Sequence, residues 1–183
     1  MRMIFEDTSI AVTLTTSKSR VTPLKPMTIP RLELSAALMM SKLMNSVASD
    51  LKIPQDSLFA WTDSTITLCW IKKAPSSLKT FVANRVSQIQ DLIPPAQWRY
   101  VPTADNPADL SSRGTSPEAL VKSHLWWHGP LWLSSSPTDW PILTPPPTTG
   151  SIPDLKAVPV LAVTPSKIDR LMYNRFSSFS KLV

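Results

Sequence analysis

The sequence predicts an α/β domain, and three observations carry that prediction. A continuous apolar run, Leu58 to Trp61, has the length and character of a short buried strand and stops abruptly before Asp63. Residues Ile10, Val12 and Leu14 alternate with small or polar neighbours, which is strand period. Two longer segments repeat at helical steps: Leu32, Ala36, Met39, Leu43, Val47 and Leu51 in the first, Val82, Val86, Ile89 and Ile93 in the second.

Taken in order, Ile4-Phe5 reads as the end of one strand, Glu6 to Ser9 as a turn, and Ile10 to Thr15 as an antiparallel return. Lys18 to Pro26 is a loop. Pro30 suits the first position of a helix, because its missing N–H would be unpaired there in any case. With Leu34, Leu38 and Met40 on another face, that helix is apolar nearly all round and is expected to lie buried in the body of the domain. The Leu58 strand leads through Asp63-Ser64-Thr65 into a helix over Ile66 to Ile71, closed by Lys72-Lys73-Ala74-Pro75. Thr80 to Ile93 is a surface helix docking one stripe and stopped by Pro94-Pro95. Gln97 to Val101 is a further strand. Asn106-Pro107-Ala108-Asp109 then supplies an N-cap, a first-turn proline and a first-turn acid, so a short helix is expected through Arg113.

The chain has 19 Pro against 3 Gly, and many of the prolines follow Gly129. That shift divides the chain into a folded part over residues 1–133, ending in the aromatic strap Leu125 to Leu133, a Pro/Ser/Thr-rich linker over 134–165, and an amphipathic tail over 166–183. The net charge of +6 is spread evenly along the chain, compatible with a polyanionic partner but without a basic arm. Cys69, the one cysteine, excludes an internal disulfide and a Cys-x-x-Cys metal knuckle and is expected to be a buried small hydrophobe. No apolar stretch is long enough for a bilayer span or a signal peptide, so an intracellular chain without a membrane partner is the expectation.

Three acids fall at element junctions: Glu33 in the expected first turn of the long helix, Asp63 after the central strand, and Asp109 at the short helix. Open α/β sheets place ligands at the carboxyl ends of their strands, which is where Asp63 lies. Carboxylates converging from separate elements are the donor set for Mg²⁺ in phosphoryl transfer, where two ions about 3.5–4 Å apart must be neutralised. Helix dipoles alone also favour acids in first turns, so each acid taken singly has a structural explanation. Lys72, Lys73, Lys79 and Arg85 gather around one inter-helix loop and are the candidates for phosphate contact.

Five stretches, in order, carry a resemblance. They are Leu24-Lys25-Pro26-Met27-Thr28-Ile29-Pro30-Arg31-Leu32-Glu33-Leu34, Trp61-Thr62-Asp63-Ser64-Thr65, Phe81-Val82-Ala83-Asn84-Arg85-Val86, Tyr100 to Gly114, and Leu125-Trp126-Trp127-His128-Gly129-Pro130. Together, from about Val12 to Leu133, the chain resembles the ribonuclease H-like segment of BEL/Pao-type LTR-retrotransposon polyproteins. The resemblance implies a mixed sheet with flanking helices and cleavage of the RNA strand of RNA–DNA hybrids with Mg²⁺ or Mn²⁺. It also implies roles for Glu33, Asp63 and Asp109 as catalytic metal ligands, with Asn106 and Asp109 forming the Asn-x-x-Asp signature. The partners it implies are nucleic acid and the reverse transcriptase and integrase regions of the same polyprotein, the tail opening the latter. The family's first aspartate lies on a strand for which this chain has no room before the Glu33 helix. Asp7, in the first turn, does not replace it, so a truncated copy with little activity is expected.

Other patterns point less far. His124 and His128 are four apart, but Gly129-Pro130 ends any helix there and no third ligand accompanies them, so packing is expected. Asp63-Ser64-Thr65 lacks the glycine of an aspartic-protease loop, despite the peptidase label attached to some members of this retrotransposon class. The seven tryptophans could stack on bases but are expected in the core and strap.

Overall fold

Residues 1–21, 24–142, 144–146 and 151–157 are described by the structure, a computed structural model. Strands β1 (Arg2–Ile4) and β2 (Ile10–Val12) form an antiparallel hairpin. Helix α1 (Ile29–Asp50) follows, then strand β3 (Ala60–Thr62), helix α2 (Thr65–Ile71), helix α3 (Thr80–Leu92) and strand β4 (Trp98–Tyr100). Three short helices complete the order: α4 (Pro107–Arg113), α5 (Pro117–Lys122) and α6 (His124–His128). The expected tail over 166–183 lies outside the described residues.

Strands β3 and β4 pair in parallel, with Ala60 opposite Trp98, Trp61 opposite Arg99 and Thr62 opposite Tyr100. Parallel strands need a long crossover, and α2 and α3 supply it. Alternation then separates two faces. Ala60 and Trp98 join the core with the helices, whereas Trp61 is half-buried and Arg99 exposed.

The core is built where α1, α2 and α3 meet this pair. The α3 stripe is as the sequence predicts: Val82, Val86, Ile89 and the capping Ile93 are all 0% exposed. It packs chiefly against α1. Trp70 and Ile71 of α2 and Leu78 of the following loop are equally buried. Gln90 Nε2 donates to Ile71 O at 2.7 Å and Lys73 O at 2.9 Å, fastening the end of α2 to α3.

Several expectations are corrected. Helix α1 is not buried all round: its fully buried positions are Leu34, Ala37, Ser41 and Ala48, while Leu32, Met39, Leu43 and Val47 are half-buried and Ala36 and Leu51 exposed. Both stripes satisfy helical spacing, and the one facing α2 and α3 is the one covered. The helix begins at Ile29, one residue before Pro30, which moves Glu33 beyond its first turn. Cys69 is half-buried rather than fully so.

The strands also do not form one mixed sheet among the described residues but two separate pairs. The outer edge of β2 is taken by the aromatic strap, where Leu14 N donates to Trp127 O at 2.7 Å and His128 Nδ1 lies 2.9 Å from Val12 O. Aromatic side chains bridge the two pairs. Trp61 packs near Trp132 and Trp140, and the Arg2 guanidinium of β1 lies 5.8 Å from the Trp140 ring.

The described part of the expected linker is packed against the domain. Trp140 is buried, and Leu155 forms a bridge with Leu78. Lys79 N donates to Asp154 O, Lys156 N to Ser77 O, and Trp70 Nε1 to Pro153 O.

Ile89 joins α3 to the core with no solvent exposure, so Ile89→Ala is expected to destabilise the protein by about 2–5 kcal/mol. Urea denaturation followed by circular dichroism checks this, with a lower midpoint at unchanged slope as the expected result.

Candidate functional site

Strand β3 ends at Thr62, and Asp63 leads directly into Ser64, the N-cap of α2. Ser64 has extended backbone angles and its Oγ accepts from Thr67 N at 3.2 Å, satisfying one of the unpaired donors of the first turn. The same hydroxyl donates to Glu33 Oε2 at 2.5 Å, a charge-assisted bond joining α1 to the strand–helix junction. Thr62 Oγ1 accepts from Ser64 N at 3.1 Å and steadies the turn.

Glu33 is half-buried, and its pKa is raised. Burial is the main cause, the Ser64 hydrogen bond opposes it, and the nearby negative charge of Asp63 adds to it. Two sequence-predicted carboxylates, Glu33 and Asp63, are therefore brought into electrostatic contact. The helix dipole does not explain Glu33, since it lies past the first turn; the contact with Ser64 does.

Asp109 is placed otherwise. It lies in the first turn of α4 and pairs with Arg113 Nε at 2.8 Å, one turn on, while Ser112 Oγ lies 3.4 Å from Asp109 Oδ1. Asn106 caps the same helix, its Oδ1 accepting from Ala108 N at 3.2 Å. Among the described residues no group of three or more His, Cys, Asp or Glu side chains is arranged to hold a metal ion. Glu33 and Asp63 supply carboxylate oxygens, the donor type that Mg²⁺ or Mn²⁺ takes, and an ion that keeps its waters needs only one or two of them. Among the described residues no third carboxylate joins them.

The basic candidates separate into groups. Lys72 caps α2 and borders a groove walled by Trp98, Arg99, Tyr100 and Trp140; Lys73 is half-exposed in the next turn. Lys79 caps α3 and is exposed. Arg85 is half-buried, its guanidinium carbon 3.5 Å from the Phe81 ring centroid. His124 and His128 lie with rings 4.8 Å apart on α6, with His128 engaged by Val12 O.

Sequence reasoning did not single out Ser64 as the partner of Glu33. Its signal was the pattern of an N-cap placed between a strand and a helix. Asp154 was missed as well, and no local signal could have found it within a proline-rich stretch.

Glu33 has a raised pKa, so the folded chain holds its proton more tightly than the unfolded chain. Stability from this group is therefore present below the ordinary glutamate value of about 4.5 and is lost as pH rises through the raised value. Glu33→Gln is expected to flatten that slope, melting at or above the wild-type temperature near neutral pH and losing any advantage near about pH 4. Thermal melts across that range check it. A cation acting on both carboxylates would raise the melting temperature of the wild type more than that of Glu33→Gln.

Residues 1–64 match the family model of the Pao retrotransposon-like RNaseH-like domain. The matched stretch runs from the hairpin through α1 and β3 to Ser64, and so contains Glu33, Asp63 and the hydroxyl bonded to Glu33. No curated protein and no solved structure matches the chain.

Proposed function

We propose, starting from the Pao retrotransposon-like, RNaseH-like character of residues 1–64, that the chain is a pol-polyprotein module that engages RNA–DNA hybrids and cleaves their RNA strand weakly or not at all. The carrying observation is the division of the acids: Glu33 is bonded to Ser64 beside Asp63, while Asp109 is paired with Arg113 within its own helix. A pair of carboxylates supports a single Mg²⁺ or Mn²⁺, which when bound supplies Lewis-acid polarisation of a phosphoryl oxygen. Ser64 holds Glu33 at the junction and Asp63 stands beside it, so this chain's own contribution is to orient two negative groups toward a cation. A full two-metal centre needs a further acid beside these two.

The exposed Lys72 and Lys79 and the half-exposed Lys73 are the phosphate contacts in this reading, and Asn106 remains a candidate contact beside its capping role. Reverse transcriptase and integrase regions of the same polyprotein are the protein partners that it implies. A helix long and apolar enough to cross a membrane does not occur among the described residues.

A labelled RNA–DNA hybrid incubated with the protein and Mg²⁺ or Mn²⁺, beside an Asp63→Asn control, tests the reading. The expected outcome is salt-sensitive binding with little cleavage. Robust cleavage abolished by Asp63→Asn would replace it with a competent nuclease. Absence of any binding by folded protein would remove nucleic acid as the partner.

A further inference from the structure

Two residues apart on a helix, Arg31 and Glu33 do not face each other. Arg31 instead meets α3 and the 151–157 segment. Its Nε and Nη2 donate to Asp154 Oδ2 and Oδ1 at 2.9 and 2.7 Å, a bidentate pair that occupies both carboxylate oxygens. The guanidinium carbon also lies 5.1 Å from the centroid of the Phe81 ring, against which Arg85 stacks at 3.5 Å. Lys79 joins the cluster through its backbone N–H, 2.8 Å from Asp154 O, and its charge acts on the Asp154 carboxylate.

Two cations, Arg31 and Lys79, thus act on one anion, and a third, Arg85, stands against the same Phe81 ring as Arg31. Arg85 donates to neutral acceptors, Ser35 Oγ at 3.3 Å and Phe81 O at 3.0 Å, and forms no ion pair among the described residues. It is half-buried, and the positive charge of Arg31 works against its own. Two guanidinium groups held against one aromatic ring, with a single carboxylate bonded to one of them, leave a positive charge uncompensated in a partly desolvated place. Asp154 accepts from Arg31 and not from Arg85, whose donors go to Ser35 and Phe81. A phosphodiester presents oxygens in several directions and suits planar donors that approach from different sides.

The occupant is also placed to leave. Asp154 sits at φ 60°, a left-handed conformation that is uncommon for a side-chain-bearing residue. Its segment is separately anchored by Trp70 Nε1 on Pro153 O, the Leu78–Leu155 bridge and Lys156 N on Ser77 O. Rotation of the Asp154 side chain would free Arg31 without undocking those contacts.

We propose that Arg31, Lys79 and Arg85 form a phosphate-binding cradle that Asp154 of the same chain fills in this structure and that a phosphodiester of bound nucleic acid takes over. The identity of the ligand rests on the hybrid-binding reading; the anion site itself does not. Asp154 acts as a built-in competitor, so hybrid affinity is held below what the cations alone would give.

The test uses the full chain and two probes. Inorganic phosphate, compared with chloride at equal ionic strength, is expected to raise the melting temperature of Asp154→Asn more than that of the wild type. Asp154→Asn/Arg85→Gln is expected to lose that gain. Hybrid affinity of Asp154→Asn, read by fluorescence anisotropy, is expected to rise about three- to tenfold, and Arg85→Gln to reverse the rise with a salt slope shallower by about one. An equal phosphate response in all three proteins overturns the cradle. A phosphate response in the expected pattern without hybrid binding upholds the cradle and rejects nucleic acid as its ligand. Hybrid binding indifferent to both substitutions rejects nucleic acid as the ligand of the cradle and leaves the phosphate melts to decide the anion site. Should Asp154→Asn fail to fold, Arg85→Gln alone decides through hybrid affinity, since Arg85 does not bond to Asp154: affinity and salt slope equal to those of the wild type overturn the proposal, and weaker binding with a shallower slope supports it.

Discussion

The inner face of α1 is made of small residues, and the arrangement of the other elements depends on that. Of its four fully buried positions, Ala37, Ser41 and Ala48 are small, and only Leu34 is bulky. Ser41 spends its hydroxyl on Ala37 O one turn back, at 2.9 Å, so it adds no unmet polar group to the interior. A shallow helix face admits the branched α3 stripe closely, and tight packing fixes the rotation of α1. That rotation sends Glu33 toward β3 and α2 and Arg31 toward α3. One packing decision therefore places both the carboxylate pair and the cationic cluster.

Electrostatics at the two places run in opposite senses. Glu33 is an acid partly withdrawn from water beside another acid, which makes a cation welcome. Around Phe81 two arginines stand near each other with one carboxylate, which makes an anion welcome. The proposed cation site at the strand–helix junction and the proposed phosphate cradle draw on the same helix, a combination that the proposed engagement of a nucleic-acid backbone would use. Asp109, bonded within its own helix, stands apart from both.

Aromatic packing does what continuous strand pairing would otherwise do. Phe59, Trp61, Trp132 and Trp140 meet at tilted or edge-on angles, with centroids between 5.5 and 6.2 Å apart. Arg99 covers Phe59 and Trp140, and Arg2 reaches the same ring from the hairpin. The hairpin and the parallel pair are thus joined through side chains, with the strap and the 137–142 stretch as intermediaries.

Local chemistry by itself determined most elements. The α3 stripe, the Asn106-Pro107 start of α4 and the Asp63-Ser64 junction are legible because caps, prolines and period act within a few residues. So is the chemistry on offer: acids at junctions, and basic residues around one loop. The tertiary structure decided which of two apolar stripes on α1 is covered, since both satisfy the helical period and only contact with α2 and α3 distinguishes them. It decided that Glu33 meets Ser64 and Asp63 while Asp109 does not, and that a proline-rich stretch docks Asp154 onto Arg31, 123 residues away in sequence. Spacing along a chain carries no information about partners that distant; the shape of the packed core does.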